Sequence, residues 1–321
     1  MSNKTEIYQL TSDAGILMQA HVVKTPNQKI VVIDGGNETY LDKPYLPSAI
    51  RAILGLNEGD YFEVEAWFLS HGHCDHYGEL SMMLRNYDET SNYKINNIYF
   101  DFPDFVNTDF DVEDYSVDRL ETLKNALNNY AKVNGIDCGE SYYDYLNGKY
   151  INEKTVANGL VFTIDGVCFD ILQTRSDEDD QINGNSMVIR TYVANADSKT
   201  CLFLNDTSIV SGARLLKTYG NALKSDIVQM AHHGQAGADK DVYDTIAAQV
   251  RLWPIPFWVW LNEETYKVGE VRAWVGVDKD NVTENDLVSC LYERYPENYA
   301  SVDDWKACVD CMKVVLDKYQ R

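Results

Sequence analysis

Apolar residues in this chain cluster into short runs rich in β-branched and aromatic side chains and bounded by turn formers. Ile16–Val23, Lys29–Ile33, Glu65–Leu69, Cys201–Leu204 and Asp226–Ala231 have this form, and each predicts a buried strand. Two stretches predict hairpins: Gly159 to Leu172 around Asp165-Gly166, and Met187 to Leu204 around Ala196-Asp197-Ser198. Helical spacing predicts a helix from about 116 to 134 ending at Gly135, another at about 211 to 223, and a mostly helical segment over 262–321 that includes Val302 to Tyr319. Two β-rich halves with flanking helices make an α/β (α+β) chain of layered sheets with helices outside.

With 321 residues, 45% of them hydrophobic, the chain can bury a large core. The N-terminal residues Met1 to Tyr8 contain no apolar leader core. The longest apolar stretch, Leu252 to Leu261, is interrupted by Pro254 and Pro256 and is too short to span a bilayer, so a cytoplasmic protein without membrane association is expected. Seven scattered cysteines do not read as a disulfide framework, and Cys308-x-x-Cys311 reads as a helix face rather than a zinc or redox site. Against 50 Asp+Glu stand only 28 Lys+Arg, a formal net charge of −22. That balance disfavours capture of long duplex nucleic acid and leaves a small molecule or a short oligonucleotide as the expected substrate. The oligomeric state is not legible.

The chemistry is concentrated in the histidines. Five of the six fall in two clusters, His71-Gly72-His73-Cys74-Asp75-His76 and His232-His233-Gly234. The first begins where the strand Glu65–Leu69 ends, the side on which α/β folds place their sites. Neutral imidazoles with a carboxylate suit Zn²⁺ and similar ions, and the spacing lets His71 and His73 converge on one ion while Asp75 and His76 turn toward another. Asp206 follows an apolar strand, where a carboxylate is costly unless paired or bound to a cation; the alternative is an N-cap for the next helix. In the second cluster, adjacent residues of an extended chain point opposite ways, so one ligand is expected. Cys74 lies in the metal loop and reads as a bystander.

These strings resemble the metallo-β-lactamase superfamily, whose motifs run aspartate, H-x-H-x-D-H, histidine, aspartate, histidine. Asp34, after Lys29–Ile33 and before Gly35-Gly36, matches the aspartate that orients the histidine loop from behind the ligands. Asp13-Ala14-Gly15, Val31–Gly36, Asn185–Ile189, Leu202–Asp206 and His232–Gly234 look more narrowly like the hydrolase domain of ComEC-type competence proteins, over about residues 5 to 260. The resemblance implies a four-layer αββα sandwich over 1–261, with an acidic, tyrosine-rich insertion at about 101–158 and a helical extension at 262–321. It implies His71, His73 and Asp206 at one ion and Asp75, His76 and His233 at the other, with Asp206 bridging. His233, just before the glycine, is the ligand favoured by the family pattern; His232 would contact substrate or protonate the leaving group, or be structural.

The third-motif histidine has no counterpart. His21 lies in an early strand, and Asn185 and Ser186 occupy the place, so water or Asn185 would complete the first ion's shell and Mn²⁺ becomes an alternative to Zn²⁺. Two such ions would lower the pKa of a bound water from about 15.7 toward about 7 and make hydroxide available at neutral pH. The resemblance implies cleavage of phosphodiesters. An acyl substrate (lactone, thioester or lactam) and an idle metal-binding module are the alternatives. The insertion, with Glu140–Tyr145, lies where substrate selection could reside, but its tyrosines read as a small core of their own rather than as a stacking surface. Trp253, Trp258 and Trp260 read as packing rather than pocket lining.

Overall fold

The computed structural model describes residues 4–10, 15–38, 45–102, 114–135, 158–176, 179, 181–194, 197–290 and 313–317. Asp13, Ala14, Ala196, Glu140–Tyr145 and Cys308-x-x-Cys311 lie outside them. Two sheets face each other. In the first, β1 (Glu6–Gln9), β2 (His21–Lys24), β3 (Ile30–Ile33), β4 (Phe62–Phe68) and β5 (Tyr93–Ile95) run in chain order, and β6 (Ile98–Tyr99) also pairs with β4. The second contains β7 (Val161–Ile164), β8 (Val167–Gln173), β9 (Val188–Val193), β10 (Cys201–Phe203), β11 (Ile227–Gln229) and β12 (Val250–Trp253).

Strand periodicity sets the layers. Alternate residues such as Ile7, Val23, Val31, Ile33, Phe68, Phe169, Ile189 and Phe203 meet between the sheets. The opposite face of the first sheet buries α1 (Tyr45–Leu54), α2 (Cys74–Arg85) and α3 (Asp114–Asn134). The second sheet buries α4 (Ile209–Tyr219), α5 (Lys240–Ile246), α6 (Phe257–Leu261) and α7 (Val268–Val275). The molecule is therefore an αββα sandwich, as expected. Both hairpins form, with β7–β8 and β9–β10 antiparallel, and α3 ends at Gly135 in the left-handed conformation.

Two corrections concern the ends of elements. The segment after 262 is not helical throughout: Asp286–Val288 forms β13, parallel to β12, and Lys313–Val315 forms β14, antiparallel to β1. The second of these replaces helix within the Val302 to Tyr319 stretch. Each sheet thereby gains an edge strand from the C-terminal segment. Within the supposed insertion, α3 belongs to the outer layer. Tyr130 is buried there, its hydroxyl donating to Ile95 O (2.8 Å) and accepting from Ile95 N (2.9 Å), which is a core role for that tyrosine.

The topology gathers one edge. β3 runs parallel to β4, and β10 runs parallel to β11 and β12, so the chain leaves these strands on a shared side. Hydrogen bonds between the exit loops close that edge: Met187 N to Ser70 O, Gln19 N to Asp75 O and His232 N to Asn205 O, all at 2.9 Å.

Candidate metal centre

Asp34 leaves β3 in a left-handed conformation (φ 61°), and both carboxylate oxygens turn toward the loop after β4. Oδ1 accepts from Ser70 N at 2.8 Å; Oδ2 accepts from Ser70 Oγ at 2.9 Å and lies 2.7 Å from His76 Nδ1. This contact needs the Gly35-Gly36 turn to press against α2. A Cβ on Gly78 would meet Glu38 N at 2.3 Å, so only glycine lets that helix approach.

His73 caps α2 from an extended conformation, and Asp75 and His76 occupy its first turn. His71 Nε2 faces His73 Nδ1 at 3.1 Å and Asp206 Oδ2 at 3.7 Å, while its Nδ1 lies 3.0 Å from Ser70 Oγ. His233 Nε2 stands 3.1 Å from Asp75 Oδ2 and 3.7 Å from Asp206 Oδ2, with Nδ1 donating to Pro254 O at 2.8 Å. His76 Nε2 lies 3.3 Å from Asp206 Oδ2. Two clusters result: His71, His73 and Asp206, and Asp75, His76 and His233, with donor atoms within 4.8 Å of one another in each. Asp206 Oδ2 lies close to members of both.

The donor set fits divalent cations. Among the described residues, His76 Nε2 and Asp206 Oδ1 are buried without a hydrogen-bond partner, a costly state that a cation would relieve. Three histidines have their far nitrogen fixed by Ser70, Asp34 or Pro254 O, the support that metal-bound imidazoles require. Burial opposes charge on His76 and His233, but nearby carboxylates outweigh it and hold both pKa values above the ordinary histidine value. Burial likewise opposes charge on Asp75 and Asp206, whose pKa values are nevertheless drawn down by the His76 and His233 imidazoles. Burial pushes His71 and His73 down. Without an ion, the centre thus balances its carboxylates with imidazolium protons, which a cation would displace.

Two sequence expectations change in detail, and one alternative falls away. The His232-His233 pair is not extended: both residues are left-handed (φ 50° and 57°), and this turn sends His233 inward while His232 stays part-exposed. Trp253 sits beneath it, where a Cβ on Gly234 would lie 2.5 Å from the indole. Asn185 does not offer an oxygen to the centre. Its Oδ1 accepts from Ser176 N (2.8 Å) and its Nδ2 donates to Asp179 O and Gln181 O (3.1 and 2.9 Å). Asp206 is not the cap of α4, because Ser208 takes that role with a capping box to Ser211.

Trp253 and Trp260 are buried against each other, and Trp258 is exposed with its indole N–H on Gly15 O, so the tryptophans pack. Cys74 packs against the first core, and none of the four described cysteines is in a disulfide. His21 is buried beside Phe203 with both nitrogens unpartnered, and burial pulls its pKa down to about 3.

The sequence reading assigned no role to the amides beneath the centre. Gln19 Nε2 donates to Asp34 Oδ2 (3.0 Å) and Asn205 Oδ1 (2.5 Å), and Gln19 Oε1 accepts from Gln229 Nε2 (2.9 Å). Asn205 N donates to Gln229 Oε1, and Asn205 Nδ2 to Met187 O, both at 2.5 Å. One buried network therefore joins the exits of β3, β10 and β11. A polar residue in the middle of an apolar run, Gln19 in Ile16–Val23 and Gln229 in Asp226–Ala231, was its only trace in the sequence.

Beside Asp206 opens a cleft of about 410 Å³, lined by Gln181, Asn183, Ile209, Val210 and His232 among others. His232 Nδ1 donates to Ala236 O at 3.1 Å, so the neutral ring presents Nε2 as an acceptor, 3.4 Å from Asn183 Nδ2 and 3.9 Å from Asp206.

No protein-family model matches the sequence, and no curated protein does. Among solved structures, the chain is similar to the metallo-β-lactamase fold protein YhfI from Bacillus subtilis, at 10% identity over 88% of this chain and 95% of that one, with a TM-score of 0.43. It is also similar to a B3 metallo-β-lactamase with an active-site glutamic acid, at 14% identity over 75% and 83% of the two chains and a TM-score of 0.42. A metallo-β-lactamase from Cronobacter sakazakii with a HARLDQ motif aligns at 13% identity over 71% and 77%, with a TM-score of 0.37. With these TM-scores below 0.5, the fold assignment rests on this chain's own sheets and helices. None of the described helices is long and apolar enough to cross a membrane.

Proposed function

We propose that this chain is a metal-dependent hydrolase of phosphodiester bonds, acting on a small phosphoester or a short oligonucleotide with two divalent ions, zinc or manganese. The supporting observation is the convergence of four imidazoles and two carboxylates, among them the buried Asp206 Oδ1, which accepts no hydrogen bond, and the buried His76 Nε2, whose neighbour is Asp206 Oδ2 at 3.3 Å. His71, His73 and Asp206 would hold one ion and Asp75, His76 and His233 the other, with Asp206 between them. Such ions supply a nucleophile by lowering the pKa of water toward about 7, and they offset negative charge at the reacting centre.

The chain's own groups do the rest. Asp34 would hold the His76 ring and the Ser70 hydroxyl in register, and Pro254 O would fix the His233 ring so that its Nε2 points inward. His232 presents Nε2 to the cleft; once protonated there, it would return a proton to the leaving oxygen. The phosphodiester choice draws on the ComEC-like strings around Asp34, Asp206 and His233. The net charge of −22 argues for a small substrate rather than long duplex nucleic acid, and a cytoplasmic setting without membrane association belongs to the same proposal.

The test is elemental analysis of the purified protein together with hydrolysis of bis-p-nitrophenyl phosphate in Zn²⁺ or Mn²⁺, with His73→Ala as control. The expected result is about two ions per chain and turnover that the substitution abolishes. One ion or none, with no turnover in either metal, would overturn the proposal in favour of an acyl substrate or a metal-binding role without turnover.

A further inference from the structure

The cleft beside the metal centre has an unusual lining for a phosphate site. Its described lining residues include no lysine or arginine. Arg214, in α4, turns its guanidinium to Gln173 Oε1 (3.3 Å) and Gly184 O (3.4 Å). The cleft is instead lined by Ile209 and Val210, the first two residues of α4, exposed at 57% and 52%. Large aliphatics left in water beside polar lining residues mark a surface awaiting an apolar group. Asn183 Oδ1, on another lining residue, is buried without a partner.

Charge narrows the occupant. If two divalent cations bind, the buried carboxylates Asp34 and Asp206 and the part-exposed Asp75 leave one positive charge in excess. The hydroxide nucleophile takes up that charge, so a phosphate ester with a single negative charge is the one least opposed at the centre. Each further phosphate of an oligonucleotide would enter a cleft with no cation to meet it, on a molecule already strongly negative.

We propose that the cleft selects a phosphodiester monoanion carrying an apolar alkyl or aryl substituent, which lies on Ile209 and Val210. This rests on the hydrolase reading but does not share its test. The ester end faces Asp206 and His232, and the substituent covers the aliphatic lip of Ile209 and Val210, which lines the same cleft.

The experiment uses the Zn²⁺-loaded protein and two parallel series with methyl, butyl and octyl groups. Monoalkyl methylphosphonates report binding by calorimetry, and alkyl p-nitrophenyl phosphates report KM. Half-covering three added methylenes predicts that butyl binds about tenfold tighter than methyl. An Ile209→Ser/Val210→Ser variant should flatten that difference to within about twofold, whereas Val161→Ser, an equally exposed valine on the edge strand β7, should retain it. Both changes lie at exposed positions, and melting curves report whether the variants fold. Equal binding of methyl and butyl by the unmodified protein, or tighter binding of a dinucleotide than of the butyl compound, would overturn the proposal. Length-dependent binding without turnover would uphold the lip and remove the hydrolase reading. A flat KM with flat binding would remove the lip alone.

Discussion

Gln19→Met tests whether the buried amides beneath the metal centre set its geometry. Methionine keeps the volume of glutamine and removes the amide, so packing changes little while three side-chain hydrogen bonds disappear. The losses differ. Asp34 Oδ2 keeps Ser70 Oγ and the His76 ring, and Gln229 Nε2 keeps Met230 O at 2.6 Å, but Asn205 Oδ1 loses its amide donor. Orphaning a buried acceptor costs about 1–3 kcal/mol, and losing a bond to a carboxylate about 1.5–3 kcal/mol, partly offset by burial of an apolar side chain. The expected destabilisation is about 3 kcal/mol, read as a lower urea midpoint at unchanged slope. Because Asp34 orients His76 and the Ser70 loop, Zn²⁺ affinity measured by calorimetry should fall about tenfold, the lower end for residues that act through a ligand's partner. Lost stability with affinity unchanged within twofold would refute a positioning role and leave Gln19 as packing alone. Unchanged stability would refute the hydrogen-bond geometry itself.

Two further outcomes follow from the same centre. Gly234→Ala should destabilise by about 2–3 kcal/mol and weaken metal binding, since its Cβ would strike the buried Trp253 ring and its φ of 79° disfavours any side chain; a urea midpoint and a Zn²⁺ titration at wild-type values would contradict this. In the metal-free protein, melting temperature should peak near neutral pH. His21, His71 and His73, neutral in the fold, lose stability below the unfolded value of about 6.5, while His76 and His233, with raised values, contribute fully below 6.5 and lose that contribution as pH rises through their folded values. Zn²⁺ should abolish the alkaline decline by replacing their protons, and a metal-free profile flat between pH 6.5 and 9 would contradict the charge balance.

What the sequence revealed was local. His71 to His76 could be read because a strand end, a turn and a helix start lie within a few residues, and Asp206 because a carboxylate after an apolar run demands a partner. β13 and β14 could not: three residues give too few alternations to compete with a helical pattern, and pairing with β12 and β1 decides their state. The amide network was hidden for the same reason, since Gln19 meets Asn205 and Gln229 across separations of 186 and 210 residues. His232 and His233 show the opposite failure. Selecting His233 was consistent with the geometry, but the extended-chain argument was wrong, because a left-handed turn over Trp253 does the sorting.

The missing histidine gains a physical account from this network of short loops. Asn185 spends its amide on Ser176 N, Asp179 O and Gln181 O, which ties these three residues before β9 to one side chain. Asp179 then accepts from Ser208 Oγ at 2.7 Å, and Ser208 caps α4. Gln181 and Asn183 line the cleft, and the cap leads directly into Ile209 and Val210, which line it too. Asn185 therefore connects these lining residues through two hydrogen-bonded steps. A histidine could not make those three bonds, since its ring lacks an oxygen acceptor and a two-proton amide donor. The position where the resemblance implies a ligand is instead held within this network, and His71, His73 and Asp206 are the three protein donors that would remain for an ion there. A site with three protein donors would keep one coordination position open, the arrangement that catalytic zinc sites use.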